Sequence, residues 1–310
     1  MKNTLSFHFE SDITTICGLS KNSKGLELLS VDTVHQGIPP LGDNIEIFKS
    51  GLSKVLKKVE SQIKEAERIT ISLPAETSLA KQIPYIDSTE EDKLRELLTF
   101  EIELLFPKFT VDDFYVKLFP IEGKNKSAQM QLAILMEKNL MQVIQDTFEK
   151  FGKSVDVFQV RQLAAHATFM YNYPESITNT VVILGIQEKF LDVSILREGK
   201  LIYYDLASFN SIKDIGTICQ TEITKLLSGT VSFIDNVYLF GNSLTAESLS
   251  LAHASLFGII QKVERINAFR MITTNLDQRT KEYCSRTSHL FVPCIGSALL
   301  DPHKVSFILE

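Results

Sequence analysis

Three short stretches hold residue types that could receive a phosphate: Leu184-Gly185-Ile186-Gln187-Glu188, His8-Phe9-Glu10-Ser11-Asp12 and Gly241-Asn242-Ser243. Each lies where a predicted strand gives way to a turn, and successive backbone amides in such a turn can cradle an anion. A polyphosphate also needs an aspartate to orient its metal ion and glycines that let the backbone approach. The first stretch has Gly185 and Gln187 but carries Leu184 in place of the aspartate. The second has no glycine, and Glu10 and Asp12, with Ser11 between them, set two negative charges where a phosphate would lie. Gly241 with Asn242 and Ser243 could hold a phosphate, but a Gly-Asn pair before a helix more often simply reverses the chain.

Other chemistries find less support. The six histidines (His8, His35, His166, His253, His289 and His303) show no His-x3-His or Glu-x2-His spacing, and His166 among alanines reads as a helix residue rather than a ligand. Cys17, Cys219, Cys284 and Cys294 are scattered, as expected of buried reduced thiols in a cytosolic protein. No serine sits in a GxSxG turn, so no catalytic residue and no metal site is expected. Asp192 and Asp205 could replace a missing metal ligand, but acids on a half-exposed strand are usually solvated. A net charge of −6 without a basic cluster argues against nucleic acid. The N-terminus lacks the apolar core of a signal peptide and no apolar run reaches membrane-spanning length, so no direct membrane insertion is expected.

The elements that must position these turns read as two related halves. Residues 181–184, 190–196 and 201–206 form three consecutive strands, with a turn at Glu198-Gly199. Residues 5–9, 13–19 and 26–34 repeat the plan, a weak internal duplication of the kind a two-lobed fold with a cleft would show. Asp43 can cap a one-sided helix to about residue 68, with Ile47, Phe48, Leu52, Val55, Leu56, Val59 and Ile63 on its apolar face. Strands follow at 69–73 and 78–83, then a helix over 88–106 opened by the capping box Ser88-x-x-Glu91. Strands at 114–121 and 130–136 flank a hairpin at 122–126. A helix (140–151), a strand (155–160) and a helix (161–171) lead to a hinge at 173–176. A helical tail over 277–300 closes the chain. At 44% hydrophobic and 23% charged, the 310 residues suit a mixed α/β protein of two domains or one large one.

Residues 69–121, together with 193–205 (VSILREGKLIYYD), 237–243 (VYLFGNS) and 292–300 (VPCIGSALL), resemble in order blocks of the PilM family of type IV pilus assembly proteins. The resemblance implies an actin-like (ribonuclease H-like) two-lobed fold. Lobe I would span 1–176 and contain an inserted α+β subdomain at 69–160; lobe II would span 177–290, and 291–310 would return to lobe I. It also implies that Glu10, Ser11, Leu184, Gly185, Gln187, Gly241, Asn242 and Ser243 are the positions of a degenerate nucleotide site, so that ATP with magnesium is not expected as a cofactor. The implied partner is a short cytoplasmic peptide of a single-span inner-membrane protein, with an assembly ATPase and self-association as further candidates. The protein would be a cytoplasmic scaffold of type IV pilus or type II secretion-like assembly, held at the inner membrane through that partner. The resemblance implies that this peptide lies in a groove between the inserted subdomain and the main lobe, with Leu79, Ile83, Tyr85, Leu94, Leu97 and Leu98 as its expected residues. Helix 88–106 is too apolar for one small sheet to cover Leu94, Leu97, Leu98 and Leu104, so the uncovered ones need a second cover, either another part of lobe I or a partner. The alternative is an active actin-like ATPase or small-molecule kinase with unconventional phosphate loops.

Overall fold

The computed structural model describes residues 3–23, 25–37, 45–87, 90–105, 107–121 and 129–300. The capping residues Asp43 and Ser88, the hairpin 122–126 and the segment 301–310 lie outside them.

Three strands, Asn3–Phe9 (β1), Thr14–Asn22 (β2) and Gly25–Val34 (β3), form the antiparallel meander expected at the N-terminus. Arg68–Leu73 (β4) lies parallel to β1, and Val157–Val160 (β8) lies parallel to β4. A second meander, Thr180–Ile186 (β9), Phe190–Arg197 (β10) and Lys200–Ser208 (β11), carries Asn236–Phe240 (β12) and Lys262–Arg265 (β13) in the same relation. The sheets therefore share one order, β3-β2-β1-β4-β8 and β11-β10-β9-β12-β13. Even the irregularities correspond: the register slips at Gly18/Leu19 in one sheet and at Ile195/Leu196 in the other. A bulge adds one residue to one strand and sharpens the local twist, so both halves bend at the same point. Glu198 and Gly199, with φ of 50° and 72°, make the tight hairpin turn that joins β10 to β11.

Between the sheets in sequence stands a third, of order β5-β7-β6, made by Ser78–Pro84 (β5), Phe114–Ile121 (β6) and Met130–Glu137 (β7). Helix Glu91–Leu105 (α3) covers one face of it. Strand alternation sorts the side chains: Leu79, Ile83, Val116 and Leu135 pack with Leu94 and Leu98 under α3, whereas Leu132, Ile134, Met136 and Ile121 join the core of the first sheet. The insertion is narrower than 69–160, because residues at both ends of that range, β4 and β8, hydrogen-bond into the first sheet.

Three further expectations change. The helix over 43–68 is two helices, Ile45–Lys58 (α1) and Glu60–Glu65 (α2), broken at Val59; the apolar stripe persists, but Ile47 is 69% exposed. The tail is also two helices, Gln278–Thr287 (α8) and Val292–Leu299 (α9), because Pro293 sits in the first turn of the second, where a missing N–H is tolerated. The second lobe is not closed over 177–290, since Thr273–Thr274 (β14) pairs with β3. Helix Arg161–Asn172 (α5) and α9 lie between the two sheets and bury Phe169, Val292 and Ile295 in a core shared by both. Their backbones touch so closely that a Cβ on Gly296 would stand 1.7 Å from the Ala164 carbonyl oxygen.

Candidate functional site

Strand alternation on β1 sends Phe7 and Phe9 into the core and turns His8 the other way, towards the cleft between the lobes. His8 Nδ1 donates to the Ser72 carbonyl at 3.2 Å, and Nε2 lies 2.6 Å from Glu10 Oε1. Two atoms at that distance need a proton between them. The Glu10 carboxylate also takes Arg161 Nη1 at 2.9 and 3.2 Å. Arg161 opens α5 and is fully buried; its Nε and Nη2 reach Asp192 Oδ2 on β10 at 2.7 and 2.6 Å. Tyr204 donates to the other Asp192 oxygen at 3.2 Å. One guanidinium thus joins a carboxylate of the first sheet to a carboxylate of the second.

Burial pushes the Glu10 carboxyl up, but the Arg161 and His8 charges outweigh it and hold the group below the usual range. At Asp192 burial prevails over Arg161 and the carboxyl is raised. Neither acid has the setting expected from the sequence. Glu10 does not confront a phosphate, because it is turned inward and neutralised. Asp192 is not solvated but fully buried. Asp205 is half-buried and bound by Lys225 Nζ at 2.8 Å and the Tyr203 hydroxyl at 2.9 Å.

The structure brings most of the eight expected positions to one place. Gly241, with φ of 122°, lies so close to Ile186 that a Cβ would stand 2.2 Å from its carbonyl oxygen. The Asn242 amide donates to Gln187 Oε1 at 3.4 Å, and the Ser243 amide to the Ile186 carbonyl at 3.3 Å. Leu184 is buried in the core of the second sheet. Gly185 makes room for Phe240 and Asp192, whose Cζ and Oδ2 would stand 2.7 and 2.9 Å from a Cβ there. Ser11 is exposed at the tip of the β1–β2 turn. His8, Glu10, Thr15, Gly241, Asn242 and Pro293 line a gap of ≈ 10 Å³, roughly the space of one water.

The larger cavity is elsewhere. A cleft of ≈ 950 Å³ opens between the β5-β7-β6 sheet and the main body, lined among others by Tyr85, Phe119, Met130, Leu163, His166 and Lys200. Its wall is the face of the small sheet turned away from α3. Of the six expected groove residues only Tyr85 lines it. Leu79, Ile83, Leu94 and Leu98 are the buried core under α3, and Leu97 packs partly against that core. The helix keeps its surplus apolar residues outside, at Phe100 and Leu104, 65% and 68% exposed. His166 in the cleft floor meets Ser194 Oγ through Nε2 at 2.7 Å, and burial pushes its ring down to about 3.

Sequence reasoning missed Arg161 and the cleft wall of β6 and β7. Arg161 as the one charged residue of a helix whose other side chains are neutral was the available signal, since a buried cation requires a buried acid.

No protein-family model and no curated protein matches the sequence. Solved structures do match the fold. The structure described as a PilM-PilN type IV pilus biogenesis complex aligns with TM-score 0.68 over 96% of this chain and 97% of that one, at 14% identity. A Bacteroides thetaiotaomicron protein with an actin-like ATPase fold and unknown function aligns with TM-score 0.56 over 92% and 96%, at 13% identity. The chain has an actin-like ATPase fold. The cytoplasmic domain of EpsL, an inner-membrane component of the type II secretion system of Vibrio cholerae, aligns with TM-score 0.53 over 94% and 98%, at 10% identity. Likeness at such identities speaks for architecture, and function has to come from the site. Among the described residues no helix is long and apolar enough to cross a membrane, and no group of three or more His, Cys, Asp or Glu could hold a metal ion.

Proposed function

We propose that this protein is an actin-like scaffold that captures an extended segment of an inner-membrane partner and has given up nucleotide chemistry. The observation that carries the reading is the contrast between the two clefts: ≈ 950 Å³ beside the small sheet against ≈ 10 Å³ between the phosphate-type turns. The larger one has the character of a peptide site. Phe119, Ile121, Met130, Leu163 and Leu201 supply apolar pockets, while Gln129, Gln159 and Lys200 supply polar anchors. The likeness to a structure of PilM with PilN, and to the cytoplasmic domain of an inner-membrane secretion component, supports a membrane-anchored partner and a place on the cytoplasmic face. The smaller gap supports the loss of ATP binding and turnover, since a nucleoside triphosphate needs many times that volume and an acid free to hold its metal.

The test is photo-crosslinking in cells from a benzoylphenylalanine placed at Phe119. The expected product is an adduct to the tail of a single-span inner-membrane protein, lost when Leu163→Asp blocks the cleft and retained when Phe100→Ser alters the outer face of α3. Adducts that ignore Leu163→Asp would remove the cleft from the reading. In parallel, ATP with magnesium should leave the melting temperature unchanged, and a saturable rise would favour an active nucleotide site instead.

A further inference from the structure

The Arg161 guanidinium is fully buried, touches a carboxylate from each lobe and belongs to the helix that runs between them. Glu10 hangs from the β1–β2 turn and Asp192 from the middle of β10, so the only polar link among these three residues passes through that one side chain. Two buried acids converging on one point repel each other unless a cation stands between them. We propose that Arg161 is a built-in cation that fixes the closure of the two lobes without any bound ligand, and that removing it converts the Glu10–Asp192 pair into a site for a divalent metal ion. The inference rests on the reading that the inter-lobe cleft no longer works through nucleotide, and it adds what took over the task of holding the cleft shut.

The geometry supports both halves. Asp192 meets the guanidinium through Nε and Nη2, Glu10 through Nη1, so the acids grip adjoining edges of the same planar group. A paired arginine held on two edges has little rotational freedom, and each lobe is tied to α5 by charge-assisted bonds. Glu10 is held in turn by His8, and Asp192 by Tyr204, so neither acid is free to swing away. With the guanidinium gone, the same oxygens border a cavity of side-chain size that water can enter. A magnesium or calcium ion takes carboxylate oxygens at roughly 2.0–2.6 Å and completes its shell with water.

The experiment uses the full chain carrying Ser23→Cys on the first lobe and Thr224→Cys on the second, both exposed positions, spin-labelled for distance measurement. The natural sequence should give one narrow inter-lobe distance that magnesium, calcium and ATP leave unchanged. Arg161→Ala should broaden that distribution and lower the melting temperature by about 10 °C. Millimolar calcium or magnesium should recover most of both effects in this variant and neither in the parent. A narrow, unmoved distance in Arg161→Ala, or a loss of stability that neither ion repairs, would overturn the proposal and leave Arg161 an ordinary buried ion pair. Should Arg161→Ala fail to fold, the uncharged variant Arg161→Met with Glu10→Gln and Asp192→Asn carries the test: a broadened, ion-insensitive distance is expected, and a narrow one overturns the proposal. The outcome is separable from that of the proposed function. Protection of the parent by ATP would end the reading of lost nucleotide binding, while a narrow distance without ligand, lost in Arg161→Ala, would stand.

Discussion

Asn242 Nδ2 donates to Asp12 Oδ1 at 3.4 Å, so the turns that a nucleotide would have to separate are bonded to each other. Asp12 lies in the β1–β2 turn of the first sheet and Asn242 in the turn that follows β12 of the second, and Asn242 lines the same small gap as Glu10. The two turns thus hold each other across the cleft, and the gap left beside them has room for about one water.

Restoring one acid should not restore nucleotide binding. Leu184→Asp would bury an unpaired carboxylate in the apolar core of the second sheet, at a cost of roughly 3–5 kcal/mol. Urea denaturation should show that loss, and ATP with magnesium should give the variant no protection.

The two faces of the small sheet should respond oppositely to substitution. Leu98→Ala, in the core under α3, is expected to cost about 2–5 kcal/mol. Tyr85→Ala, at an exposed cleft residue, should stay within roughly 0.5 kcal/mol of the parent while weakening partner capture. Thermal melts and a binding titration on the same two proteins separate the outcomes.

Helix α9 should tolerate no side chain at its contact with α5. Gly296→Ala puts a methyl 1.7 Å from a backbone oxygen that cannot rotate away, and a loss of about 1–3 kcal/mol is expected. Gly152→Ala, where nothing lies within 4 Å of the added Cβ, is the comparison for backbone strain alone, since its φ is 76°.

Stability should fall on mild acidification. His166 has its folded pKa pushed down from 6.5 to about 3 by burial, so the unfolded chain binds a proton between those values and the folded one does not. Stability is then lost as pH drops below 6.5, by about 2 kcal/mol between pH 6.5 and 5 for this residue. His289, lowered to about 4, adds to the same trend. Urea midpoints at the two pH values should differ less in His166→Gln than in the parent, and an equal difference would remove His166 from the account.

Much of the fold was legible in the residues. Both meanders follow from apolar runs punctuated by turn residues, and Glu198-Gly199 marks its hairpin because a left-handed turn is easiest where glycine sits. The strands of the small sheet and the helix over it read equally well, because their periods of 2 and 3.6 are local properties. The two-lobed plan was visible through the repetition of one local pattern.

What the sequence alone left open was which distant groups meet. Glu10 and Arg161 are 151 positions apart, and Arg161 and Asp192 are 31 apart, so no local pattern distinguishes a paired buried acid from a solvated one. The limits of the insertion were lost for the same reason: β4 and β8 join the first sheet through parallel pairings that span long stretches of chain. The strands of the small sheet were readable one by one, yet only packing decided that α3 covers the face of Leu79 and Ile83 and that the cleft opens on the face of Phe119 and Ile121. Local periodicity determines which side chains share a face; the burial of that face against a particular neighbour is a property of the assembled chain.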